Sequence, residues 1–185
     1  ADKARRGEAM GSDVSMLKVW SMDTYQRLSE LLIDAAGEYG VVEGEVAFAE
    51  FPRSALDEPI GALFERQAAR FPHRVAAQGP RHSLTYADMD RLANAVAHAV
   101  LASRGPGLEP IALLFPHDAL VLGAILGVLK AGKAYVALDP HHAPERLAAI
   151  LRDAGARAVV ADGTEVGRAR AVAPADCEVL DAGVL

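Results

Sequence analysis

Cysteine occurs once in these 185 residues, at Cys177. A single thiol rules out an internal disulfide and any metal site built from several cysteines, and it fits a reducing, cytoplasmic compartment. Aromatic residues make up only 5% of the chain. Basic residues are not in excess: 19 Lys and Arg stand against 25 Asp and Glu, a net charge of −6. That balance supplies no electrostatic footprint for nucleic acid. The longest apolar stretch, Ala119 to Val128, falls well short of the roughly 20 residues that a membrane span requires. No apolar signal core follows the opening Ala-Asp-Lys-Ala-Arg-Arg, and with no initiator Met the chain reads as a piece of a longer polypeptide. There is no internal repeat and no low-complexity tract. What is present is a 51% hydrophobic chain rich in Ala and Val. That composition suits one ordinary globular domain, or a partial domain with an attachment.

Three stretches differ in texture. The first dozen residues are small and charged, broken by Gly7 and Gly11. From Ser15 to Gly37 the spacing predicts an isolated amphipathic helix, with Tyr25, Leu28, Leu31, Leu32 and Ala35 on one face and a stop at Gly37 and Gly40. Residues 1–40 thus form a helical tail. Residues 41–59 lose periodicity and hold Gly44, Pro52 and Pro59, as a linker does.

From Ile60 the pattern alternates. Ile60, Leu63, Phe64 and Ala68 make one helical face, ended by Phe71-Pro72. A short strand is expected at Val75 to Gln78. Thr85 caps the next helix, with Asp88 three residues on in a capping-box arrangement, and Met89, Leu92, Val96 and Val100 point inward. Ile111 to Phe115 is a continuous apolar run bounded by Pro110 and Pro116, as in a buried parallel strand. Asp118 caps a helix, Ala119 to Lys130, that is apolar nearly all round and must be deeply packed. Gly132 stops it with positive φ, and Ala134 to Leu138 is the next strand. Pro144 opens a helix that Gly155 closes, and Ala158 to Ala161 is a further strand; Asp176-Cys177-Glu178 begins another. This alternation predicts an α/β fold: part of a doubly wound parallel sheet with helices on both faces, over residues 60–185.

Two strings in this region go together. One is LTYADM, beginning Leu84, Thr85, Tyr86. The other is LKAGKAYVALDP, running Leu129, Lys130, Ala131, Gly132, Lys133, Ala134, Tyr135, Val136, Ala137, Leu138, Asp139, Pro140. With LFERQAARFPHRVAA before them and HHAPERLAAILRDAGARAVVAD after, they resemble, in order and separation, the first two core motifs of the amino-acid adenylation domains of nonribosomal peptide synthetases. The resemblance covers about Ile60 to Asp162. One departure is Ala137, where that family usually has Pro. Read by physics alone, the second string is a helix stop, a buried strand and a turn, all of them scaffold. A direct ligand role for Lys130, Lys133 or Tyr135 is the alternative.

The resemblance implies a parent enzyme that condenses a carboxylate, such as an amino acid, with ATP to give an acyl-adenylate and pyrophosphate. The acyl group is then passed to the phosphopantetheine thiol of a partner carrier protein. ATP and Mg are the implied cofactors, with the rest of the domain and the carrier as partners. The family's Ser/Thr/Gly-rich phosphate loop ending in Lys, its acidic ribose and Mg ligands and its late acyl-contacting lysine match nothing before Leu185. The resemblance therefore assigns this stretch no catalytic, cofactor-binding or metal residue of its own. The specificity pocket falls outside it as well. The expectation is an inactive fragment whose unpaired sheet edge promotes association.

SMLKVWSMDTYQRLSELLIDAAG carries a second resemblance, to the penultimate helix of an acyl-CoA dehydrogenase bundle, through Ser15, Lys18, Gln26, Arg27, Leu28 and Gly37. If it holds, the parent joins a flavin (FAD) oxidoreductase to the adenylation domain; an unrelated amphipathic helix is the alternative. A non-enzymatic α/β docking module is a third reading of the whole. His141-His142 is similar to the paired histidines of condensation domains, but Arg146 stands where that motif carries Asp, which favours a solvated turn. His117, His141 and His142 fall on expected loops and form no metal site. Gly123 to Gly127 (GAILG) has neither spacing of a phosphate loop and lies within a helix.

Overall fold

The computed structural model describes residues 58–184, all within one of the two units into which the chain divides, Phe51–Leu185. The expected helix at Ser15 to Gly37, its dehydrogenase-like string and the linker up to residue 57 lie outside the described residues. The described elements are α1 (Ile60–Arg70), β1 (Val75–Gln78), β2 (Ser83–Thr85), α2 (Tyr86–Arg104), β3 (Pro110–Leu114), α3 (Ala119–Lys130), β4 (Ala134–Leu138), α4 (Pro144–Ala154), β5 (Ala158–Ala161), α5 (Val166–Val172) and β6 (Glu178–Asp181).

Four strands form a parallel sheet in the order β4-β3-β5-β6. The two apolar runs expected to lie parallel do so, with Ile111 opposite Tyr135 and Leu114 opposite Leu138. Strand β3 is central, and Ile111, Ala112, Leu113 and Leu114 are at most 1% exposed. Covered on both faces, it reads as a continuous apolar run rather than an alternating one. One face, through Ala112, Leu114, Val159 and Ala161, packs on Leu147 and Leu151 of α4 and on Val166, Ala169 and Val172 of α5. Alternate residues, among them Ile111, Leu113 and Val160, point to the opposite face. There α2 and α3 lie, with Val96, Val100 and Val128 fully buried. Helices thus flank both faces, as the alternating pattern requires.

Local chemistry sets the ends of these elements. Thr85 and Asp88 form a reciprocal capping box at the start of α2, which satisfies two otherwise orphan N–H groups. Pro144 sits in the first turn of α4, and Gly155 closes that helix in the left-handed region. Gly132 has φ +71°, the conformation expected for the stop after α3, where a Cβ would clash with the backbone.

The interface between α2 and α3 rests on small residues. A Cβ at Gly123 would lie 2.6 Å from Leu92 Cδ2, and one at Gly127 would lie 2.6 Å from Val96 Cβ and 2.7 Å from the Ala93 carbonyl oxygen. The two glycines, one helical turn apart, let the helix backbones meet.

Three features depart from the sequence reading. Strand β3 ends at Leu114, and Phe115 lies beyond it, still buried. Strand β2 is only three residues long, too short to show a period. Helix α5, seven residues with buried Val166, Ala169 and Val172, is absent from the sequence reading: it contains Gly167, a poor helix former, and its apolar spacing of three is brief.

Candidate functional site

The first motif builds the junction between the β1–β2 hairpin and α2. Leu84 and Thr85 end β2, and Tyr86 opens α2 with its ring stacked on Phe64 of α1, centroids 5.7 Å apart. Thr85 Oγ1 donates to Asp88 Oδ2 (2.6 Å) and accepts from the Asp88 N–H (3.1 Å). The Thr85 hydroxyl and N–H hold the Asp88 carboxyl below its usual range. Every polar group named here is used in capping.

The second motif spans the sheet from end to end. Leu129 and Lys130 finish α3, Ala131 is its C-cap, and Ala134, Tyr135, Val136, Ala137 and Leu138 form β4. Lys130 Nζ lies 2.7 Å from Asp90 Oδ1 and from Glu65 Oε1 and 2.8 Å from Asn94 Oδ1, so it ties α3 to α2 and α1. Burial pushes its pKa down, but Asp90 and Glu65 outweigh burial and raise it. The Lys133 side chain is fully buried, and its Nζ donates to the Gly107 carbonyl (3.0 Å) and Glu109 Oε1 (3.1 Å). Arg104 pairs with the same Glu109, and hydrogen bonds from Arg104 and Lys133 hold the Glu109 carboxyl below its usual range. Both motif lysines therefore have protein partners. Lys130 meets α2 through Asp90, the residue just after the first motif, while Gly132 and Asp139-Pro140 sit at opposite ends of β4. A shallow open depression beside Lys130, lined by Pro59, Ile60, Gly61 and Leu129, offers no unengaged charge.

Ligands of open parallel sheets bind outside the carboxyl ends of the strands, where successive connections depart in opposite directions. Here that switch point lies between β3 and β5, since β4 and β5 flank β3 on its two sides. Each strand ends at or near an aspartate: Asp118 follows β3, Asp139 follows β4, Asp162 follows β5 and Asp181 closes β6. Three of them make the same local turn, accepting from the N–H two residues on: His141 to Asp139 (2.9 Å), Thr164 to Asp162 (2.8 Å) and Gly183 to Asp181 (2.8 Å). These turns stop the strands. The His141 N–H and ring lower the pKa of Asp139 in spite of its partial burial. His142 Nδ1 is buried without a hydrogen-bond partner, and its backbone carbonyl accepts from Arg168 (2.8 Å).

Asp118 is the centre of this edge, and its pairing escaped the sequence reading, which gave it only the cap of α3. It does cap, through Ala119 N–H (2.8 Å). It also receives the tip of the β1–β2 hairpin: His82 Nδ1 at 2.6 Å, the His82 N–H at 3.2 Å and Arg81 Nε at 3.1 Å. Arg81 Nη2 lies 3.7 Å from Asp162 as well. Burial alone raises the Asp118 pKa, but His82 and the two N–H groups outweigh it and hold the carboxyl far below the usual range. The available signal was Gly79-Pro80-Arg81-His82, a turn string directly after the expected strand Val75 to Gln78.

This donor set does not suit a Mg–nucleotide. The edge aspartates are engaged locally or by Arg81 and His82. A polyphosphate there meets a row of carboxylates, and among the described residues no three His, Cys, Asp or Glu side chains are placed to hold a metal ion. Cys177 is no better placed for chemistry, since burial followed by Asp176 raises its pKa, the reverse of an activated thiol.

Comparison with known proteins gives the fold its family. The profile of the AMP-binding enzymes matches residues 64–184. Tyrocidine synthase 3 of Brevibacillus parabrevis is 39% identical over 138 residues, 74% of this chain but 2% of that protein. Malpinin synthetase of Mortierella alpina is 42% identical over 103 residues, 54% of this chain and 1% of that protein. The crystal structure of IdnL7 superposes with a TM-score of 0.60 at 27% identity, covering 70% of this chain and 26% of that chain. The chain thus spans only a few per cent of the curated relatives' length. The match falls on the parallel sheet, its flanking helices and both motifs, and this chain belongs to the AMP-binding enzyme family.

Proposed function

We propose that this chain forms part of the adenylate-forming half of a nonribosomal peptide synthetase module. The whole protein activates an amino acid or other carboxylate with ATP and Mg as an acyl-adenylate, for transfer to a carrier-protein phosphopantetheine in the cytoplasm. The observation that carries this reading is the family match over 64–184 together with its synthetase relatives. Within that machine, residues 60–185 act as the N-terminal scaffold of the domain, and 1–40 and 41–59 as a helical tail and a linker. The motif residues from Leu84 and from Leu129 to Pro140 fix helix ends and the β4 strand, with Lys130 and Lys133 as internal ties. The aspartate edge supports this role: its carboxylates and the half-exposed Arg81 are already engaged, which leaves no uncommitted cation or metal ligand among them for a phosphate. The charge that builds on the α-phosphate in adenylate formation needs such groups, already in place.

Amino-acid-dependent exchange of labelled pyrophosphate into ATP tests the reading, measured on the isolated 185-residue chain and on the longer polypeptide containing it. Exchange by the longer polypeptide alone is expected. Exchange by the isolated chain overturns the scaffold assignment. No exchange by the longer polypeptide with any carboxylate tested overturns the synthetase reading.

A further inference from the structure

Among the described residues, β1 and β2 are the strands outside the four-stranded sheet. They are four and three residues long, with a register irregularity between Val75 and Ala77. A two-stranded ribbon of that size is not stable by itself. Its base is anchored: Ala77 and Leu84 pack into the cluster shared by α1, α2 and α3, and β2 runs straight into the capped start of α2. Its tip has no such packing, and Pro80 and Arg81 are exposed.

Polar contact and close approach hold the tip down. The Arg81 and His82 side chains, 43% and 42% exposed, converge on an Asp118 side chain only 1% exposed. Gly79 presses on the same residue; a Cβ there would lie 2.0 Å from Asp118 Oδ1 and 2.7 Å from Ala119 N. The partner of the tip is therefore buried and fixed to the sheet and α3, while the tip itself faces solvent. Asp162, 3.7 Å from Arg81, adds a second, weaker hold from the end of β5.

We propose that the β1–β2 hairpin is a strap latched over the switch point between β3 and β5, with Asp118 as its bolt. Its tip opens as a unit while the four-stranded sheet stays folded. Local opening of this kind draws on segments with few buried apolar contacts, and the tip answers that description where its base does not. Opening uncovers the carboxyl ends of β3 and β5, so the latch sets access to that end of the sheet.

Hydrogen exchange, followed peptide by peptide on the 185-residue chain, tests this. The double variant Arg81→Gln, His82→Gln changes two half-exposed side chains and leaves the core intact. Amides from Gln78 to Ser83 should exchange about tenfold faster or more, the scale set by losing hydrogen bonds to a charged group. Those of Ile111 to Leu114 and Val159 to Ala161 should be unchanged. Asp118→Asn should act in the same direction, and if it does not fold the double variant decides. Equal acceleration in the hairpin and the sheet overturns the proposal, because the tip then opens only with the whole domain. No acceleration in the hairpin overturns it too, because Arg81 and His82 then do not hold the strap.

Discussion

Gly127 sets how closely α2 and α3 approach, and its replacement by alanine gives a sharp test of the packing. The added methyl would lie 2.6 Å from Val96 Cβ, 2.8 Å from Val96 Cγ1 and 2.7 Å from the Ala93 carbonyl oxygen. Val96 is fully buried and β-branched, so it has little rotamer freedom with which to yield, and Ala93 presents backbone. The helices must move apart or the core must strain, at a cost of about 1–3 kcal/mol for overpacking. Alanine recovers at most about 1 kcal/mol of helix propensity relative to glycine. The upper half of the overpacking range applies because one obstacle is main chain, leaving a net loss of roughly 1–2 kcal/mol. At Gly123 the nearest atom is Leu92 Cδ2, the far end of a flexible side chain, so Gly123→Ala should cost less. At Gly167 in α5 nothing lies within 4 Å of the added methyl, so Gly167→Ala should be neutral or stabilising.

The assay is urea denaturation followed by far-ultraviolet circular dichroism, since the single tryptophan, Trp20, lies outside the described residues. With a slope of about 1–3 kcal/mol per molar urea, the Gly127→Ala midpoint should fall by roughly 1 M. The order of midpoints should be Gly127→Ala lowest, then Gly123→Ala, then Gly167→Ala. A Gly127→Ala midpoint equal to or above that of the unsubstituted chain would refute the close contact of α2 and α3.

Three further outcomes are expected in the same assay. Gly132→Val should cost more than about 1 kcal/mol, because a β-branched residue is disfavoured at φ +71°; an unchanged midpoint contradicts that conformation. Glu109→Gln should destabilise by about 3 kcal/mol, since it leaves the buried Lys133 ammonium uncompensated, whereas Lys133→Met removes the charge itself and should cost less; the reverse order would mean that the ion pair is not what stabilises this corner. For Asp118, whose carboxyl pKa is depressed in the fold, stability is complete above the value of about 3.9 for an unfolded aspartate and is lost as pH falls below it. The midpoint should therefore fall more steeply below about pH 4 in the unsubstituted chain than in Asp118→Asn, and parallel profiles would contradict the pairing.

The legible part of the fold was the part written in local chemistry. A continuous apolar run between two prolines marks β3, because a central strand has no polar face to display. The Thr85–Asp88 cap, Pro144, Gly132 and Gly155 each announce an element end by what their backbones require. Less legible were elements held by their surroundings. Three residues of β2 carry no periodicity, and they stand as a strand only because β1 lies beside them. The glycines of GAILG show by their spacing that they are not a phosphate loop. That they seat α2 is visible only when Leu92, Ala93 and Val96 arrive from some 30 residues away. The latch on Asp118 was hidden for the same reason: its partners Arg81 and His82 stand 37 and 36 positions earlier, and sequence spacing carries no trace of such a pairing.

The aspartates at the carboxyl edge show why a cluster of acids is weak evidence for a site until its partners are traced. One aspartate at or near the end of every strand of a parallel sheet, in a family that handles nucleotides, suggests metal ligation. Three of the four instead accept from the N–H two residues ahead, a side-chain turn that leads the chain out of the strand. The fourth, Asp118, combines a helix cap with the hold on the hairpin tip. Recruiting any of them to a metal would break a turn or a cap worth on the order of 1 kcal/mol, and it would expose carboxylates to phosphate without new cations. Arg81 already faces two of these aspartates, Asp118 and Asp162. The same residues that make the edge a sound terminus for the sheet thus make it a poor cradle for a triphosphate. On the proposed synthetase reading, a reaction that builds negative charge on phosphorus must draw its donors from residues other than these aspartates.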